Sequence, residues 1–271
     1  MNIRIKLTMP RNIKLTIEYD GTDFSGWQTQ TSRSNSRQKP SGRAHRTVQD
    51  EIEKTLNIIF KQRLKLTGSG RTDSGVHALG QVANFKTCSL MPLTEMQKAL
   101  NANLPDDIAI TKIEEASLKF HAQYSVKAKA YRYTVLNTAA RCAQQRNFCL
   151  YYPYKLNIRK MREEAKDLIG RKDFKSFTAS DPAKRKAGKN ENTVRTVKRL
   201  VISKKGDNLI FEIEANGFLY KMVRNIVGTL LEIGRGKRAM GSIKQILAKK
   251  DRNAAGNTAK PKGLALLEVR Y

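Results

Sequence analysis

The chain's 271 residues suit one large domain or two of about 100–150 residues, enough to bury a core without disulfides or metal. Lys and Arg number 52 against 24 Asp and Glu, and the resulting net charge of +28 excludes most handlers of neutral metabolites, because such a field repels itself and favours a polyanionic partner, nucleic acid before membrane. No run approaches the roughly 18–20 apolar residues of a spanning helix. The basic N-terminus alternates apolar with polar residues and lacks a signal-peptide block. Three cysteines (Cys88, Cys142, Cys149) and three histidines (His45, His77, His121) match no zinc spacing, so the expectation is a cytoplasmic protein with no metal and no membrane attachment.

Residues 11–20 alternate, with Ile13, Leu15, Ile17 and Tyr19 on one face and Lys14, Thr16 and Glu18 on the other, which predicts a half-buried strand. Residues 21–26 turn into Trp27. Residues 32–45 include Arg33, Arg37, Lys39 and Arg43, no acid and almost nothing apolar; this predicts a mobile basic loop, either a solvated insertion or a phosphate-contacting arm. Thr47 reads as a helix N-cap with Asp50 three residues on, ahead of a stripe of Val48, Ile52, Leu56, Ile59 and Phe60. A short strand at 63–66, a glycine-rich loop at 68–78, a strand at 80–86, a helix at 93–104 stopped by Pro105 and a strand at 108–113 follow.

The second half has the same make-up. Residues 129–136 predict a strand, with Tyr131, Tyr133 and Val135 on one face, and 158–168 a helix. Residues 193–203 and 208–215 predict a hairpin joined by Lys204-Lys205-Gly206-Asp207. Helices at 218–232 and 242–249 and a closing strand at 264–271 complete the chain. Mixed elements with hairpins imply α+β rather than a parallel doubly wound sheet, in two halves, 1–124 and 125–271.

The sharpest local feature is the run Gly68-Ser69-Gly70-Arg71-Thr72-Asp73-Ser74-Gly75-Val76-His77-Ala78. Its glycines permit unusual dihedrals and close approach of another chain. Asp73 lies between Arg71 and His77 on a tight link between strands, where a scaffold holds a side chain within a ligand's reach. A phosphate cradle lacks the P-loop lysine and spacing. Two readings remain on local grounds: an aspartate that hydrogen-bonds turn amides, or a nucleophile or general base kept ionised by a guanidinium.

The run from Gly70 to Phe85 resembles the signature of the tRNA pseudouridine synthase A family, which most often has alanine where Ser74 stands. Further motifs match in order: Leu15 to Thr22 with Gly26-Trp27-Gln28; Arg46-Thr47-Val48-Gln49; Asn101 to Pro105; Phe120-His121-Ala122; Lys129-Ala130-Tyr131-Arg132-Tyr133; and Phe218 to Gly228. The basic 32–45 segment is longer than the family's usual connection, so no role for it is inherited.

The resemblance implies two related halves whose antiparallel sheets join into one extended sheet, with helices on one side and a central basic cleft. It implies isomerisation of uridine to pseudouridine at positions 38, 39 and 40 of the tRNA anticodon arm by a homodimer, without cofactor. Asp73 is then the nucleophile, attacking the sugar C1′ or the base C6. Tyr131 lies against the target base, Arg224 reaches from the second half to pair with Asp73, and Arg71 holds the everted nucleotide or its phosphate. Tyr133 stays a core aromatic and His77 part of the loop's structure. Lys184, Arg185, Lys186 and Lys189, with Arg33 and Arg37, are the expected RNA contacts, because grouped charge reads phosphates and shape rather than base identity. Charge alone fits a non-catalytic RNA-binding module equally well, and the same fold serves enzymes acting on other uridines.

Overall fold

The computed structural model describes residues 9–28, 46–179 and 192–271. It divides into two compact units, Met1–Val126 and Lys127–Tyr271, each with its own layer of antiparallel strands and packed helices. Among the described residues, no helix is long and apolar enough to cross a membrane.

In the first unit, β1 (Arg11–Tyr19) is central. It pairs antiparallel with β3 (His77–Thr87) on one side and with β4 (Ile108–Ala116) on the other, while β2 (Thr67–Gly68) adds to β3. The alternation of β1 is realised directly: Ile13, Leu15 and Ile17 are fully buried, and Tyr19 nearly so. Charges of β1 and β4 pair across the strands, Arg11 with Glu115 at 2.9 Å and, on the opposite face, Lys14 with Glu114 at 3.3 Å.

Two helices cover the core face, α1 (Val48–Phe60) and α2 (Leu93–Asn103). Thr47 caps α1 by accepting the Asp50 N–H at 3.3 Å, as its position predicts. The strand expected at 63–66 does not form. Asn57 Oδ1 takes the Leu64 N–H at 3.1 Å and Glu53 Oε1 takes the Leu66 N–H at 3.0 Å, so side chains of α1 occupy donors that a neighbouring strand would need. Pairing begins only at Thr67.

In the second unit the strand order is β10 (Leu264–Arg270), β5 (Ala128–Leu136), β9 (Asn208–Ala215), β8 (Val194–Lys205), β7 (Gly170–Asp173), all antiparallel, with the two-residue β6 (Leu150–Tyr151) running parallel to β5. The predicted hairpin is tighter than expected: β8 runs on to Lys205, and only Gly206 and Asp207 turn, Gly206 at φ 55. Helices α3 (Ile158–Lys166), α4 (Met222–Gly234) and α5 (Ser242–Lys249) accompany this sheet. Helix α4 starts four residues later than its apolar run predicts, because Lys221 adopts the left-handed conformation (φ 59) and its carbonyl accepts the Asn225 N–H. The Glu164 carboxylate is buried, and its two oxygens accept the Gly241 and Ile243 amides, which closes the N-terminus of α5 onto α3.

Candidate active site

Asp73 sits on the link between β2 and β3, half-buried, with its backbone held from several sides. The link begins against Trp27: a Cβ on Gly68 would stand 2.4 Å from the indole Nε1, so only glycine lets the chain lie on that ring. Ser69 Oγ donates to Gln81 Oε1 at 2.6 Å, and Gln81 Nε2 donates to Gly70 O at 3.0 Å. The Trp27 N–H donates to Thr72 O at 3.2 Å, and Thr72 Oγ1 is 2.8 Å from the Tyr19 hydroxyl. Burial pushes the Tyr19 phenol up against the lowering effect of that bond, so the hydroxyl stays protonated.

Beyond Asp73 the chain turns back. The Gly75 N–H and Ser74 Oγ both donate to Phe24 O, at 3.3 and 3.0 Å, and the Val76 N–H returns to Asp73 O at 3.2 Å. Gly75 stands at φ 76, a value that glycine adopts without strain. His77 is buried at the start of β3, and its Nδ1 accepts the Gly21 N–H at 3.0 Å. That bond ties the first turn to the Asp73 link, which agrees with the structural role expected of His77. Arg71 points outward, its Nε donating to Gln28 Oε1 at 2.6 Å with the guanidinium exposed.

In the second unit, β5 carries the tyrosines. Tyr131 is 9% exposed and meets Phe218 edge to face, ring centres 5.0 Å apart at 85°. Tyr133 is fully buried, and its hydroxyl donates to Lys260 O at 2.6 Å. Burial pushes this phenol up, with the Arg224 charge opposing. Arg224 lies in the first turn of α4, off the buried stripe of Val223, Ile226, Val227 and Leu230, as its spacing predicts. Its Nε donates to Ala259 O at 2.7 Å, and its carbonyl accepts the Ala259 N–H at 3.1 Å. Two consecutive carbonyls, of Ala259 and Lys260, therefore anchor the arginine and the inner tyrosine.

Asp73 and Arg71 thus share one link in the first unit, and Tyr131, Tyr133 and Arg224 share one corner of the second. Lys184, Arg185, Lys186, Lys189, Arg33 and Arg37 lie outside the described residues. No sequence motif marks the segment that holds Arg224, residues 252–260; its one signal is Asn225, an amide in an otherwise apolar helix stripe that needs buried partners from elsewhere. On β5, burial holds the Lys129 amine down to about 8.

A family model described as tRNA pseudouridine synthase matches residues 15–125 and 165–271. A tRNA pseudouridine synthase A of Thermoanaerobacter sp. (strain X514) is 43% identical over 261 residues, covering 96% of this chain and all of the relative. One from Geobacillus kaustophilus is 44% identical over 264 residues, covering 97% and 95%. A tRNA pseudouridine synthase A 2 of Clostridium perfringens is 42% identical, covering 96% and 100%.

Proposed function

The chain belongs to the tRNA pseudouridine synthase family, and on that premise we propose that it converts uridine to pseudouridine at positions 38, 39 and 40 of the tRNA anticodon arm. The reaction breaks the N1–C1′ glycosidic bond and forms C5–C1′ to the same base. The C5 proton leaves and N1 gains one, so the change is redox-neutral. Asp73 is the nucleophile. A covalent adduct, at C1′ or C6, splits one difficult step into two easier ones. Arg224 is the second charged catalytic group on this reading. Tyr131 stacks on the everted uracil, and Arg71 holds the nucleotide or its phosphate.

The observation that carries this reading is the Asp73 link. A half-buried carboxylate stands on a turn fixed by the Trp27, Phe24 and Tyr19 contacts, with Gly26 and Gly68 lying too close to their neighbours for any side chain. A binding module gives no reason to hold one acid so tightly. Everting a base costs a few kcal/mol. Aromatic stacking and basic phosphate contacts offset that cost, and Lys184, Arg185, Lys186, Lys189, Arg33 and Arg37 are proposed for the latter. The enzyme acts as a cytoplasmic homodimer on this reading.

Site mapping on unmodified tRNA transcripts tests the assignment. Incubation with the protein is expected to place pseudouridine at 38–40. Modification confined to the D or T arm would instead assign the protein to other uridines. Retained tRNA binding with no modification anywhere would assign it to a binding module.

A further inference from the structure

Arg224 takes its direction from a segment that runs back along α4 with no room for side chains between the two. A Cβ on Gly228 would stand 1.7 Å from Asn257 O, and one on Gly256 2.8 Å from Thr229 Cα. At the centre is Asn225, the residue after Arg224, fully buried. Its Nδ2 donates to Phe177 O at 2.7 Å. Its Oδ1 accepts from Thr258 Oγ1 at 2.6 Å and from Arg252 Nη2 at 3.1 Å, and the same Nη2 lies 3.0 Å from Thr258 Oγ1. The three side chains close a triangle. One turn on, Thr229 Oγ1 donates to Asn225 O and accepts the Gly256 N–H, each at 2.8 Å. Immediately after Thr258 come the two carbonyls that hold the Arg224 Nε and the Tyr133 hydroxyl.

We propose that the Thr258–Asn225–Arg252 triangle is a positioning device: it sets the Ala259 and Lys260 carbonyls and through them aims the Arg224 guanidinium for the reaction. Apolar packing alone would hold the segment to α4 without a buried amide and an arginine fork. Such groups tolerate burial only when their bonds are complete, and complete bonds define one geometry. A shift at Thr258 moves the Ala259 carbonyl, and with it the direction of the guanidinium. The inference rests on the reading of Arg224 as a catalytic residue.

Steady-state kinetics on Thr258→Val, Thr258→Ser, Arg252→Lys and Arg224→Ala test it, alongside thermal melts of each. Thr258→Val removes the hydroxyl at nearly constant volume. It is expected to lower kcat roughly 10- to 100-fold with KM for tRNA within about 2-fold. Thr258→Ser restores kcat, and Arg252→Lys repeats the loss. A folded Thr258→Val with native kcat overturns the proposal, as does a change in KM alone. If Thr258→Val does not fold, Arg252→Lys decides by the same criteria. Native turnover by Arg224→Ala would overturn the role of Arg224 itself, whereas an inactive Arg224→Ala beside a native Thr258→Val would overturn the triangle alone.

Discussion

A Cβ at residue 26 would stand 2.6 Å from Thr72 O and 3.3 Å from the Asp73 carbonyl carbon, with the backbone already at φ +100. Both effects act on the link that presents the Asp73 carboxylate. Gly26→Ala therefore carries backbone strain of about 1–3 kcal/mol and displaces Thr72 and Asp73 together. Its kcat is expected to fall roughly 100-fold, since a shift of about 1 Å has that effect, while tRNA affinity stays within about 2-fold. Kinetics beside a binding titration check this, and native kcat would mean the link is not rigid. The motif around Asp73 was legible in the sequence, glycines included. Its clamping was not, because the Phe24 carbonyl lies about fifty positions from the Ser74 hydroxyl it accepts.

Strand β5 shows what an element adds to its residues. Its alternation was legible and buries Tyr131, Tyr133 and Val135. The same alternation puts Lys129 on the Tyr131 face, and burial there holds its amine down to about 8 against an ordinary value of 10.5. Between those two values the unfolded chain holds a proton that the folded chain lacks, so this group adds stability as pH rises from 8 towards 10.5. Below about 8 it is charged in both states and only the folded state bears the desolvation. Lys129→Met is expected to melt higher than the native chain at pH 7, with the gap closing by pH 10. Melting curves across that range test it, and a constant gap would contradict it. Elsewhere, element boundaries were legible where they depend on local chemistry, as at the Thr47 cap of α1. They were not where a distant partner intervenes: the Leu64 and Leu66 amides are taken by side chains of α1. The four residues of β7, Gly-Arg-Lys-Asp, carry no apolar alternation and are strand only because β8 pairs with them.

Over the whole molecule, a net charge of +28 determines how the substrate is met. Each phosphate neutralised releases counterions, so log K for tRNA should fall linearly with log salt, by about 0.7–0.9 for each phosphate contacted. A steep line from binding titrations between 50 and 200 mM salt is expected, and a flat one would contradict a phosphate-dominated interface. Such binding selects shape rather than base identity. The α+β class and the order of the longer elements were legible from periodicity and hairpin signals. The node that holds Arg224 was not, since Asn225 meets Thr258 across 33 positions and no local pattern announces such a contact. The most direct measurement is tritium release from C5-labelled uridine in anticodon-arm transcripts, native protein against Asp73→Asn. The native protein is predicted to release tritium, and the variant to bind the RNA with undiminished affinity and release none. Release by Asp73→Asn at the native rate would contradict the account.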